Sequence, residues 1–248
     1  MFFGLPLWLS CMKYAPVTPG YQVPDVQYGI RVQGDFTTSD EPAGQQNESY
    51  SLTMDWVIDL KALEMQRDDS FWMRLQVMQA SYFLDDRAIE NAAEGKVIDL
   101  RIFPWGELLS VRYIDHLSGD GRWLDVFEPI LPTLFPNPPR LSKNESGVKE
   151  QRWPIVEGTV TVTRAANRVV WKRLPDENDL LVYAYEGKWL PEARGTLNFH
   201  EGRVQGQVWL NPENRWMERH NWTWSRQIEN SKALQTQDFE GEMWRISD

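Results

Sequence analysis

Cysteine is almost missing from these 248 residues: Cys11 stands alone. That excludes a disulfide framework and any zinc site built on several thiolates. Histidine is nearly as scarce, with His116, His200 and His220 the full set. None falls in the His-Glu-x-x-His spacing that sets two ligands on one helix face, so each reads as a surface or hydrogen-bonded residue and no metal site is expected. Positive charge is outnumbered, 26 Lys and Arg against 36 Asp and Glu, for a net charge of −10. Nucleic acid needs clustered cations and is excluded as a partner. Nucleotide motifs are absent as well: Gly119-Asp120-Gly121 lacks the third glycine of a dinucleotide fingerprint, Leu124 standing in its place. The adjacent acids Asp68-Asp69 and Asp85-Asp86 would point to opposite faces of a strand and read as solvated turns. Nothing here nominates a catalytic residue or a cofactor, and the chain is expected not to be an enzyme.

What is present begins at the N-terminus. Residues 1–12, MFFGLPLWLSCM, are apolar and uncharged. They are too few for the roughly 20 residues a membrane span requires, and they match the roughly 7–15-residue apolar core of a secretory signal. Pro16, Pro19, Gly20 and Pro24 follow, so residues 1–11 read as a signal-like segment ending in Cys11 and residues 12–25 as an extended tether. Ser10-Cys11 at the end of an apolar core resembles the lipobox of bacterial lipoproteins, although Trp8 and Leu9 stand where that family prefers Leu and a small residue. The resemblance implies acylation of Cys11 and attachment to a membrane of the cell envelope, in the periplasm or at the outer membrane. A cytoplasmic protein with an inert thiol is the alternative.

Beyond residue 25 the dominant signal is alternation. Tyr50, Leu52, Met54, Trp56, Ile58 and Leu60 are apolar, and only Val57 breaks the polar series between them. A helix would scatter these residues round its axis, whereas a strand gathers them on one face. The pattern returns at Val26–Val32, Phe71–Val77 and Ile98–Ile102, then more weakly at Val160, Val162, Val204, Val208 and Leu210. The fold class is therefore mainly β (α+β at the margin), with long antiparallel strands in a curved sheet or open half-barrel. One short helix is expected near 122–134, where Trp123, Val126, Phe127, Ile130 and Leu131 recur at helical spacing. The organisation reads as a front β half over 26–135, a linker over 136–151 and a back β half over 152–248, continuous in space with the front. The halves share a local pattern, Ile102–Leu108 against Asn198–Val204, which reads as two equivalent hairpins with a glycine at each tip.

Tryptophan is abundant: 13 in all. On a strand through Arg215–Arg226, Trp216, Glu218, His220, Trp222 and Trp224 would share one face. Indoles interleaved with hydrogen-bonding groups suit a core, the lining of an apolar cavity, or stacking on sugars. The assembly of signal, terminal cysteine, tether and long one-faced strands resembles bacterial envelope lipoproteins with a curved half-barrel sheet, including the Lol-type lipoprotein carriers. The resemblance is architectural. It implies a non-enzymatic protein whose sheet binds an apolar ligand (a lipid or lipoprotein) or a partner protein, through Leu52, Met54, Trp56, Ile58, Phe71, Met73 and Leu75. The alternatives are a carbohydrate-binding or adhesin module working through Trp216, Trp222 and Trp224, and a structural subunit of an envelope assembly.

Overall fold

Strict alternation places every apolar side chain of a strand on one side, so the strands must line up with those sides together and out of water. The computed structural model describes residues 25–40, 48–89, 93–103, 108–113, 138–157, 160–189, 191–194, 197–229 and 233–246. Fourteen strands and no helix are found among them. The front half holds β1 (Val26–Asp40), β2 (Glu48–Met65), β3 (Phe71–Leu84), β4 (Arg87–Ile89), β5 (Val97–Ile102) and β6 (Leu108–Tyr113). The back half holds β7 (Ser146–Glu157), β8 (Val160–Arg173), β9 (Leu181–Trp189), β10 (Glu192–Arg194) and β11 (Leu197–Phe199). It ends with β12 (Gly202–Leu210), β13 (Met217–Glu229) and β14 (Ala233–Ile246). The helix expected near 122–134 lies outside the described residues, as do Cys11, the signal-like segment and all but the last residue of the tether.

All these strands belong to one curved sheet, in the order β10-β11-β13-β12-β9-β8-β7-β6-β5-β3-β2-β1-β14, with β4 beside β3. β13 also pairs with β14, so the hydrogen-bonded path from β13 round to β14 returns on itself. The long antiparallel strands predicted from the alternation are the ones observed; β2 alone runs for 18 residues. A single pairing among the described strands is parallel, β6 with β7 through Val111↔Ile155 and Arg112↔Val156. The first and last strands are partners over their whole length, from Gln27↔Ile246 to Asp40↔Ala233.

The face shared by the alternating apolar residues, here called inward, is a single core. Ile58, Met73, Leu75, Val77, Ile98, Leu100, Ile102, Val208 and Met243 have no exposed surface. Each such side chain contributes on the order of 1.5–3 kcal/mol. Large rings are accommodated by glycine in the neighbouring strand. Trp222 pairs with Gly241, where a Cβ would collide with the indole, and Tyr185 lies over Gly206, where a Cβ would fall 2.6 Å from the phenol oxygen. The opposite face carries cross-strand ion pairs between register partners, Arg31–Asp55 at 2.7 Å and Arg74–Asp99 at 3.0 Å.

Two sequence expectations are corrected. The last six residues of the expected linker are strand, because Ser146–Gln151 find ladder partners in β8 despite their loop-like composition. The proposed equivalence of Ile102–Leu108 and Asn198–Val204 fails. β5 and β6 pair with each other as a hairpin, whereas β11 and β12 both lie against β13 and do not pair together. Gly202 has an ordinary strand conformation and turns no hairpin, since Gly95 is the one glycine with positive φ among the described residues. The adjacent acids behave as read. Asp85 and Asp86, at φ 48° and 62°, form the tight turn between β3 and β4, the left-handed pair that a two-residue hairpin demands.

The glycine–ring pairing gives a direct test. Gly241→Val should lower unfolding free energy by about 1–3 kcal/mol through overpacking against Trp222, read as a fall in urea midpoint. Gly95→Ala, at an open turn with φ 78°, should cost about 1–2 kcal/mol through left-handed backbone strain and not through crowding.

Candidate functional site

The two groups of residues nominated from sequence meet on the inward face. Following the register across β13, β14, β1 and β2 gives three successive rows. His220, Met243, Ile30 and Trp56 make the first; Trp222, Gly241, Val32 and Met54 the second; Trp224, Phe239, Gly34 and Leu52 the third. Ile58 stands one pair deeper on β2, and β3 continues the surface with Phe71, Met73 and Leu75. Residues far apart in the chain thus form one apolar surface.

That surface is filled by its own side chains over most of its length. Met54, Trp56, Ile58, Phe71, Met73 and Leu75 are 0–4% exposed, while Leu52 is half-buried. Burial loosens toward one end, where Phe36, Tyr50, Leu52, Leu84 and Phe239 are each only partly covered. The Phe36 and Tyr50 rings lie 5.4 Å apart there, and Trp224 stacks on Phe239 at 4.9 Å. Trp222 and Trp224 are 2% and 7% exposed, so neither offers an open ring face to a sugar arriving from outside. Trp216 sits just before β13 and is 8% exposed. Arg215, at φ 64°, breaks the strand ahead of it, and the pairing shifts register between Met217 and Arg219, so buried positions alternate regularly only from His220 onward.

Polar groups inside this face are few. His220 has no exposed surface, and its Nε2 lies 2.9 Å from the Tyr185 hydroxyl. The Tyr28 hydroxyl donates to the Met217 carbonyl at 2.8 Å. Burial pushes the Tyr28, Tyr82 and Tyr185 hydroxyls well above the ordinary tyrosine range. His200 is on the surface, 3.1 Å from Glu229; His116 lies outside the described residues. No group of three or more His, Cys, Asp or Glu suited to a metal ion occurs among the described residues.

Sequence reasoning passed over the opposite, polar face, and two adjoining grooves of about 850 and 890 Å³ run along it, each also lined by members of the inward rows, Gly206, Trp222 and Gly241 in one and Val204, Trp224 and Phe239 in the other. The residues they share are Gln33, Glu186, Gln205, Thr223 and Glu240. These five form one cross-strand row over β9, β12, β13, β14 and β1, in the order Glu186, Gln205, Thr223, Glu240 and Gln33. Gln33 donates a hydrogen bond to Glu240. The signal was present as the polar half of each alternating run, which reads as solvated surface until the register lines it up. Ser146 and Lys149 have Ser-x-x-Lys spacing, but on β7 residues three apart point to opposite faces. No described helix is long and apolar enough to cross a membrane.

No family model matches the chain, and no curated protein does. Among solved structures the fold is similar to that of lipovitellin, in a structure devoted to its lipid–protein interactions. The TM-score is 0.53 at 9% identity, over 91% of this chain and 26% of that one. At this identity the likeness concerns the fold alone, and this chain spans about a quarter of the length of the lipovitellin chain (26%). It agrees with the large curved β-sheet and does not extend to the Lol-type carriers of the architectural expectation.

The buried tyrosines set a pH limit. Their folded pKa values exceed the value of about 10 for an unfolded tyrosine, so the stability they confer is complete below pH ~10 and declines as pH rises further. Absorbance titration at 295 nm should show Tyr28, Tyr82 and Tyr185 ionising only together with unfolding. Replacing Tyr185 with Phe should remove one proton from that transition.

Proposed function

We propose that this chain is a non-enzymatic, lipid-anchored envelope protein that holds an apolar ligand, a lipid, against the inward face of its curved sheet. The observation that carries the reading is the joining of the alternating faces into one apolar surface, loosened at the Phe36, Tyr50 and Leu52 end. A face that merely closed a core would need no partly covered aromatic end, whereas a ligand needs an entrance. Lipovitellin, whose fold is similar, is a protein studied for its contacts with lipid, and that supports the same choice of ligand. In this reading a chain enters between Phe36, Leu52 and Phe239 and displaces side chains that close the interior in its absence. Anchoring follows from the lipobox-like Ser10-Cys11, since two acyl chains suffice for stable attachment.

The grooves on the polar face support a second reading. Their shared row of amides, hydroxyl and carboxylates has no apolar member, while Trp222 and Trp224 also line the grooves, so an occupant there would meet hydrogen-bonding groups along its length beside aromatic rings, as an oligosaccharide does. One experiment separates the two. Wild-type protein titrated with a fluorescent fatty acid should show saturable uptake. Thr223→Trp, which fills the outward groove and leaves the inward face untouched, should bind the fatty acid as wild type does, and Leu52→Arg should abolish uptake while retaining the β-sheet circular dichroism spectrum. Absence of uptake by the wild type would overturn the lipid reading. Loss of uptake in Thr223→Trp alone would move the site to the polar face.

A further inference from the structure

Three indole N–H groups on the inward face have no hydrogen-bond acceptor in the protein: those of Trp171, Trp222 and Trp224. The side chains are 2%, 2% and 7% exposed, so bulk water does not serve them either. An unsatisfied buried donor is costly, and native structures leave few of them. These three are also organised. Trp171, Tyr185, Gly206 and Trp222 form one cross-strand row over β8, β9, β12 and β13, and Trp224 follows Trp222 two residues on, in the row that carries Leu52 and the loosened end.

Their surroundings restrict what can meet them. The inward register neighbours of Trp222 and Trp224 are Gly206, Gly241, Val204 and Phe239, none with a polar side chain. A buried water typically needs two to four polar partners, and these neighbours supply none. The one polar ring beside them, His220, lies 4.9 Å from the Trp222 ring and holds the Tyr185 hydroxyl at 2.9 Å through Nε2. What fits is an acceptor carried by a molecule that is otherwise hydrocarbon.

We propose that the ligand of the inward face is an acyl ester lipid, its carbonyl oxygens accepting from the Trp222 and Trp224 indoles, with Trp171 the donor farther along the row. The inference rests on the apolar-ligand reading above and narrows it: a bare hydrocarbon satisfies the face but leaves the donors unmet, whereas a diacylglycerol satisfies both. Trp222 and Trp224 were nominated from sequence as ring surfaces; here their N–H groups do the selecting.

The test compares dioleoylglycerol with the matching dialkyl glycerol ether, which has the same hydrocarbon and glycerol but no carbonyl groups. Both are titrated against the full-length chain by displacement of a bound fluorescent fatty acid. Wild-type protein should prefer the ester by about tenfold, the effect of one net hydrogen bond of about 1.4 kcal/mol. In Trp222→Phe and Trp224→Phe, which keep an aromatic ring and remove the donor, the preference should fall toward unity while ether binding stays unchanged. Equal affinities for ester and ether in the wild type would overturn the inference and leave the apolar-ligand reading standing. Failure of either compound, and of the fatty acid, to bind would overturn the reading beneath it. The wild-type comparison needs no variant, so a substitution that fails to fold does not remove the test.

Discussion

The structure depends on one pairing, that of β1 with β14. An apolar face spread over long strands cannot leave water unless the sheet curves and its ends find partners, because an open edge presents unpaired backbone groups as well as apolar surface. Here residues 193 to 219 positions apart in sequence supply that partner, from Gln27↔Ile246 to Asp40↔Ala233, and β13 extends the join on the far side. The order of strands follows from the chain meandering outward from β1 and back to β14. The single parallel contact, β6 with β7, falls where the front half hands over to the back half.

Curvature then determines which side chains the rows can hold. Where a row crosses from β9 to β1, large rings alternate with glycine: Tyr185 over Gly206, then Trp222 over Gly241. A side chain at either glycine would collide with the ring seated over it, and two small residues would leave a void. The same rule explains why the tryptophans concentrate in the back half without forming an exposed patch. It also lays the indoles beside glycine, with their N–H groups away from any backbone or side-chain acceptor.

Much of this was legible in the residues themselves. The Tyr50–Lys61 run and its relatives gave strand type, length and inward members, because period two is a local property that tertiary context seldom overrides. Leu52, Met54, Trp56, Trp222 and Trp224 were nominated as two unconnected sets; only register shows that Met54 and Trp222, or Leu52 and Trp224, share a row. Register is a long-range property and left no trace in either segment. The supposed hairpin at Asn198–Val204 misled for the same reason: its phenylalanine and glycine are compatible with a turn, and the partner that decides the matter is β13. Ser146–Gln151 looked like linker because strand residues facing water on one side and a neighbouring strand on the other need not be apolar. The polar grooves stayed hidden because a polar position in an alternating run carries no mark of whether its neighbours make a concave surface.

Strand alternation, the join of first and last strands, the loosened aromatic end and the unmet indole donors all lie on the inward face, where the proposed lipid would be held. The most direct measurement is mass spectrometry of the full-length protein purified from its native cells in mild detergent, under native and then denaturing conditions. The account predicts a native mass above that of the chain, with the excess lost on denaturation and identified as an acyl ester lipid, and a separate covalent gain at Cys11 that survives. A native mass equal to the denatured mass, in protein whose fold is intact, would contradict it.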